Sequence, residues 1–138
     1  NNSKKLYIDA NLLVYAVEDS KNFYGKDISS SSSKLFLEAA SCKYHVVIST
    51  WALEELAHIK KLEQAQMLFK IIEKKVILIT YSEIEMQQAK RDNPNHFQDE
   101  LHGILALREN ADYLVTRNVS DFKRFEDRIK IVKPEHLL

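Results

Sequence analysis

Acidic residues stand at four places where apolar runs begin or end: Asp9 in "YIDANLLVY", Glu54 and Glu55 in "ISTWALEEL", Asp99 in "DELHGILAL" and Asp121 in "LVTRNVSDF". Asp9 is the least ordinary, because it closes a strand-like run, and a buried carboxylate is costly unless it is paired or holds a cation. Taken singly, the others have plain explanations. Asp99 is a favourable charge in the first turn of a helix, Asp121 a turn or cap residue, and Glu54 or Glu55 a solvated helix acid, either of which can turn inward. Taken together, all fall at carboxyl ends of strands or at helix starts facing them. Carboxylates converging there suit a hard cation, Mg2+ or Mn2+, and the chain has no cysteine or paired-histidine set for zinc. Such an ion inverts the local charge, polarises a phosphoryl oxygen and activates water, which is the chemistry of phosphodiester hydrolysis.

Positioning those acids requires strands that end in register. Short, nearly continuous apolar runs at 5–8, 44–49, 76–79, 113–116 and 129–132 read as five strands covered on both faces. Helical patterns lie between them at 34–41, 51–61, 63–73, 83–91 and 97–109. Strands alternating with helices predict an α/β fold of three layers, with right-handed crossovers and a mainly parallel sheet. Sites in such sheets gather beyond the carboxyl ends of the strands, where the strand order reverses.

Other residues near these ends have two readings each. The hydroxyls of Ser49 and Thr116 position a water or a metal ligand, or bond their own loops. His102, one turn after Asp99, reads as a packed histidine or a support for a ligand rather than a ligand itself. Arg117, Lys123 and Arg124 supply a local basic patch for phosphates, or are solvated loop charges. Tyr15, Phe23 and Tyr24 stack an unpaired base, or pack in the core.

Composition narrows the class. At 138 residues, 45% hydrophobic and 29% charged, the chain has one domain's worth of core. That domain is expected over 4–138, with residues 1–3 a remnant or trimmed start. Twenty basic and 20 acidic side chains leave no overall basic field, so any polyanion site is local. The two glycines, Gly25 and Gly103, form no dinucleotide or P-loop pattern. One cysteine, Cys42, fits a reducing compartment, and no apolar run approaches membrane-spanning length, so a cytoplasmic protein is expected. The serine run 29–33 reads as a substrate loop or a linker.

The ordered set "YIDANLLVY", "ISTWALEEL", "DELHGILAL" and "LVTRNVSDF", followed by "IVKPEHLL", resembles the PIN-domain ribonucleases, and among them the VapC-type toxins of toxin–antitoxin pairs. The resemblance covers essentially the whole chain. It implies a PIN-like α/β/α domain with a central, mainly parallel five-stranded sheet. It also implies a Mg2+- or Mn2+-dependent endoribonuclease that cuts RNA, with an antitoxin protein as partner. By the same resemblance Asp9, Glu55 rather than Glu54, Asp99 and Asp121 are the catalytic, metal-holding acids. Asn11 is the small polar residue accompanying the first of them, and Asn118 stands where some members carry the fourth acid. A homodimer is expected through apolar helix faces within 53–67.

Three other classes share parts of this pattern. A phosphotransferase of the haloacid dehalogenase type needs an acid two residues after Asp9, where Asn11 cannot donate a proton. A receiver domain needs an aspartate ending its central strand, and "VILITYSE" has none. A PIN-like fold kept as a binding or assembly module, with weak or no catalysis, is the serious alternative.

Overall fold

The structure, a computed structural model, describes residues 4–17, 38, 43–71 and 73–137. Strands β1 (Lys4–Ile8), β2 (Tyr44–Ser49), β3 (Val76–Ile79), β4 (Tyr113–Val115) and β5 (Lys130–Val132) form one sheet in the order β3-β2-β1-β4-β5. Every neighbouring pair is parallel. The chain therefore starts in the middle, builds outward through β2 and β3, then returns to the other side of β1. The order reverses between β1 and β4, which is where a crevice opens in a sheet of this kind.

Side-chain alternation along the strands divides the interior in two. Leu6, Ile8, Val46 and Ile48 face helices α1 (Ala10–Val17), α2 (Thr50–His58) and α3 (Leu62–Ile71) through Leu12, Leu13, Leu56 and Ala65. Tyr7, Val47 and Leu114 face the opposite way, towards α4 (Glu83–Asp92) and α5 (Phe97–Arg108), meeting Ala89, Leu101 and Leu105. The result is the expected three-layer α/β/α arrangement around a parallel five-stranded sheet.

Two elements were not legible in advance. The apolar run after Asp9, to which the periodicity assigns neither strand nor helix, is α1, because the Asp9 side chain accepts the Leu12 N–H at 2.9 Å and so caps a helix at once. A kinked pair of 3₁₀ turns over Val119–Phe125 stands where only a loop was expected. Phe125 lies so close to Gly103 of α5 that a Cβ there would collide with its ring. Glycine is thus required at 103 for close approach, not for conformation. Of the expected helix 34–41 only Glu38 is described, and it is helical. Phe23, Tyr24, the serine run 29–33 and the side chain of Tyr15 lie outside the described residues. Among the described residues no helix is long and apolar enough to cross a membrane.

Candidate active site

Asp9 ends β1 beside the reversal of strand order and is 3% exposed. Its Oδ1 caps α1, and its Oδ2 accepts the Thr116 hydroxyl at 2.8 Å. Thr116 Oγ1 in turn accepts the Asn118 N–H at 3.0 Å. The carboxylate therefore clasps the ends of β1 and β4 together. Burial pushes its pKa up, a nearby Glu55 charge adds to that, and His102 and the two hydrogen bonds oppose it.

On α2 the two glutamates part. Glu54 is exposed and accepts the Tyr81 hydroxyl at 2.9 and 3.1 Å. Glu55 turns towards the sheet, its Oε1 2.7 Å from Nε2 of His102 on α5. Behind His102, Nδ1 lies 2.7 Å from the Tyr7 hydroxyl, which is 3.0 Å from Ser49 Oγ. Ser49 Oγ accepts the Ala52 N–H at 3.1 Å and caps α2. Tyr7, Ser49 and His102 are all buried. Burial, with the Asp9 and Glu55 charges, holds the Tyr7 phenol well above the usual tyrosine range against the Ser49 bond.

Asp99, half-buried in the first turn of α5, has its pKa pushed up to about 6. Burial is the first cause, then the Asp121 charge, with Asp9 and Glu55 adding and His102 opposing. Four acids from four separate elements thus act on one titration at one edge of the sheet. Asp121 is exposed on the 3₁₀ segment, and Asn118 is exposed just before it. Asn11, on the first turn of α1, borders a 440 Å³ cavity with Trp51, Glu55, Ile59 and Gln98.

The four acids share this edge without closing into a cage. Among the described residues, no three His, Cys, Asp or Glu side chains sit close enough to hold one metal ion. Both Asp9 oxygens and Glu55 Oε1 engage protein partners, the Leu12 N–H, the Thr116 hydroxyl and the His102 ring. The carboxylates of Asp99 and Asp121 take no hydrogen bond or ion pair from the described residues. An all-oxygen, mutually repelling set fits a hard divalent cation by its chemistry rather than by a preformed geometry.

The basic residues are placed differently from one another. Arg117 pairs with Glu135 at 2.6 Å. Arg124 pairs with the buried Glu100 at 2.8 Å and donates to the Asp92 carbonyl at 3.3 Å. Lys123 is exposed and borders a separate hollow with Ser120, Glu126 and Lys130. Tyr7 lies within the strand expected at 5–8 and is not marked out by the pattern of acids. The available signal was a tyrosine in a strand covered on both faces, whose hydroxyl must find a partner.

No protein-family model matches the chain. No curated protein sequence matches it either. In fold it is similar to a chain of the crystal structure of VapBC2 from Rickettsia felis bound to a DNA fragment from their promoter. The TM-score is 0.59 and the identity 24%, over 92% of this chain and 96% of that one.

Proposed function

We propose that this chain is a Mg2+- or Mn2+-dependent endoribonuclease of PIN-domain type, the toxin of a toxin–antitoxin pair. The observation that carries the reading is the placing of Asp9, Glu55, Asp99 and Asp121, from four separate elements, at the edge where the sheet order reverses; burial first, and then the Asp121, Asp9 and Glu55 charges, push the Asp99 pKa up there. Repulsion of that kind is tolerable when a cation neutralises it. Asp9, Glu55, Asp99 and Asp121 would hold the ion, with Asn11 and Asn118 at its margin.

A divalent ion bound there supplies Lewis acidity towards a phosphoryl oxygen and a water of lowered pKa. The chain's own residues do the positioning. The Leu12 N–H and the Thr116 hydroxyl fix the Asp9 carboxylate, and Ser49 caps the helix that carries Glu55. Lys123 offers a cation to the RNA backbone, and Arg117 and Arg124 can do so from their ion pairs. The cavity between α1 and α2, bordered by Asn11 and Trp51, gives the strand a path to the acids.

The VapBC2 likeness supports an antitoxin partner for this chain as well. A homodimer through apolar faces of α2 and α3 is part of the same proposal. The decisive experiment incubates the purified chain with RNA in Mn2+ and in chelator. Metal-dependent internal cleavage, lost in Asp99→Asn, is the expected result; cleavage unchanged in that variant removes Asp99 from its role. Asn118, standing where some PIN-domain members carry the fourth acid, favours a second reading, a non-catalytic or weakly catalytic RNA-binding or assembly module. RNA binding without cleavage in any divalent metal would establish that one.

A further inference from the structure

The hydrogen-bonded chain from Ser49 through Tyr7 and His102 to Glu55 is more than α2 needs for its cap. Ser49 satisfies the Ala52 N–H by itself. Tyr7 nevertheless packs in the apolar layer with Val47, Leu101 and Leu105, and His102 is buried beside its ring, where leucine or phenylalanine would pack without polar atoms to satisfy. Burying a polar group without a partner costs roughly 1–3 kcal/mol, so such a network persists only when every member is paired.

Counting protons shows which way it points. An ionised Glu55 can only accept, so His102 Nε2 must carry the hydrogen at that 2.7 Å contact. The Tyr7 hydroxyl lies 2.7 Å from Nδ1 on the other side of the ring. Edge-to-face packing of the two rings, with centroids 5.6 Å apart, fixes the imidazole in its plane. The imidazole thus engages Glu55 Oε1, while no hydrogen bond from the described residues reaches Oε2.

On the reading of Glu55 as a metal ligand, we propose that His102, held from behind by Tyr7, is a positioning residue that fixes the orientation of the Glu55 carboxylate. Hydrogen-bonded supports of this kind typically govern metal affinity by about 10- to 100-fold. The relay spans β1, α2 and α5, so it also ties the glutamate's helix to the helix carrying Asp99.

The test is Mn2+ affinity, read from the electron paramagnetic resonance signal of free Mn2+, on the whole chain. Tyr7→Phe removes one oxygen and keeps the ring, and His102→Leu removes the donor to Glu55. Both are expected to bind Mn2+ about tenfold or more weakly. His102→Gln, whose amide puts an N–H near the place of Nε2, is expected to retain most of the parent affinity. Circular dichroism melts without metal separate folding from binding: a merely structural relay would lower the melting temperature and leave affinity at the parent value. That result in Tyr7→Phe overturns the proposal, as does tighter binding in His102→Leu, which would make His102 a competitor of the ion. Loss of the wild-type Mn2+ signal change altogether would overturn the metal reading, and the relay with it. Parent binding that disappears in Asp9→Asn and is unaltered in Tyr7→Phe would overturn the relay alone.

Discussion

A carboxylate shielded from water and surrounded by others keeps its proton to higher pH, and Asp99 does so with a pKa of about 6 against an ordinary 3.8. Two outcomes follow from the sign. A cation needs the ionised form, so Mn2+ affinity should fall steeply as pH drops through about 6, in a titration that Asp99→Asn abolishes. In metal-free protein the raised value favours the folded state when protonated. That contribution is fully present below the unfolded pKa and is lost as pH rises through the folded one. Asp99→Asn should therefore melt higher than the parent at pH 7.5, and the difference should vanish towards pH 4. For activity, Asp9→Asn, Glu55→Gln and Asp99→Asn should each lower RNA cleavage by about 100-fold or more, the scale of losing a group that stabilises transition-state charge. Asp9→Asn keeps an acceptor for the Leu12 N–H, so its fold should survive, as circular dichroism would report.

Among the elements, the 3₁₀ segment Val119–Phe125 carries Asp121, proposed above as one of the metal-holding acids. Two features dock it on α5: the contact of Phe125 with Gly103, and the ion pair of Arg124 with buried Glu100. Gly103→Ala would drive the Phe125 ring away and should cost about 1–3 kcal/mol in urea unfolding, the usual toll of overpacking. A smaller residue at 125 in the same chain should recover part of it. The helix ends give a contrasting case. Lys60 follows α2 in the left-handed region, φ 61°, where a side chain is strained and glycine is not. Lys60→Gly should raise stability, by up to about 1 kcal/mol, with activity unchanged.

At the scale of the whole molecule, a ligand that binds only the folded chain must stabilise it. Mn2+ at 100 times its dissociation constant is worth about 2.7 kcal/mol. Thermal melts should therefore shift upward with Mn2+ in the parent chain and stay fixed in Asp9→Asn. No shift in the parent would point to the non-catalytic module. The layer arrangement was readable because each strand's hydrophobic run is nearly continuous and each helix has its own period, both local properties. The start of α1 was not, because "NLLVYAV" is equally apolar as strand or helix, and a single side-chain cap at Asp9 decides between them.

The sequence by itself determined the alternation of strands and helices, and with it the placing of Asp9, Asp99 and Asp121 at strand ends or helix starts. Those are matters of periodicity and chain order, which neighbours along the chain settle. Tertiary structure decided that β1 lies centrally beside β4, that Glu55 turns inward while Glu54 turns to Tyr81, that Arg117 and Arg124 enter ion pairs, and that Tyr7 and His102 join behind the acids. Each of those depends on partners 18 to 107 positions away along the chain, and contacts at such separations are fixed by packing in space, which no local pattern encodes.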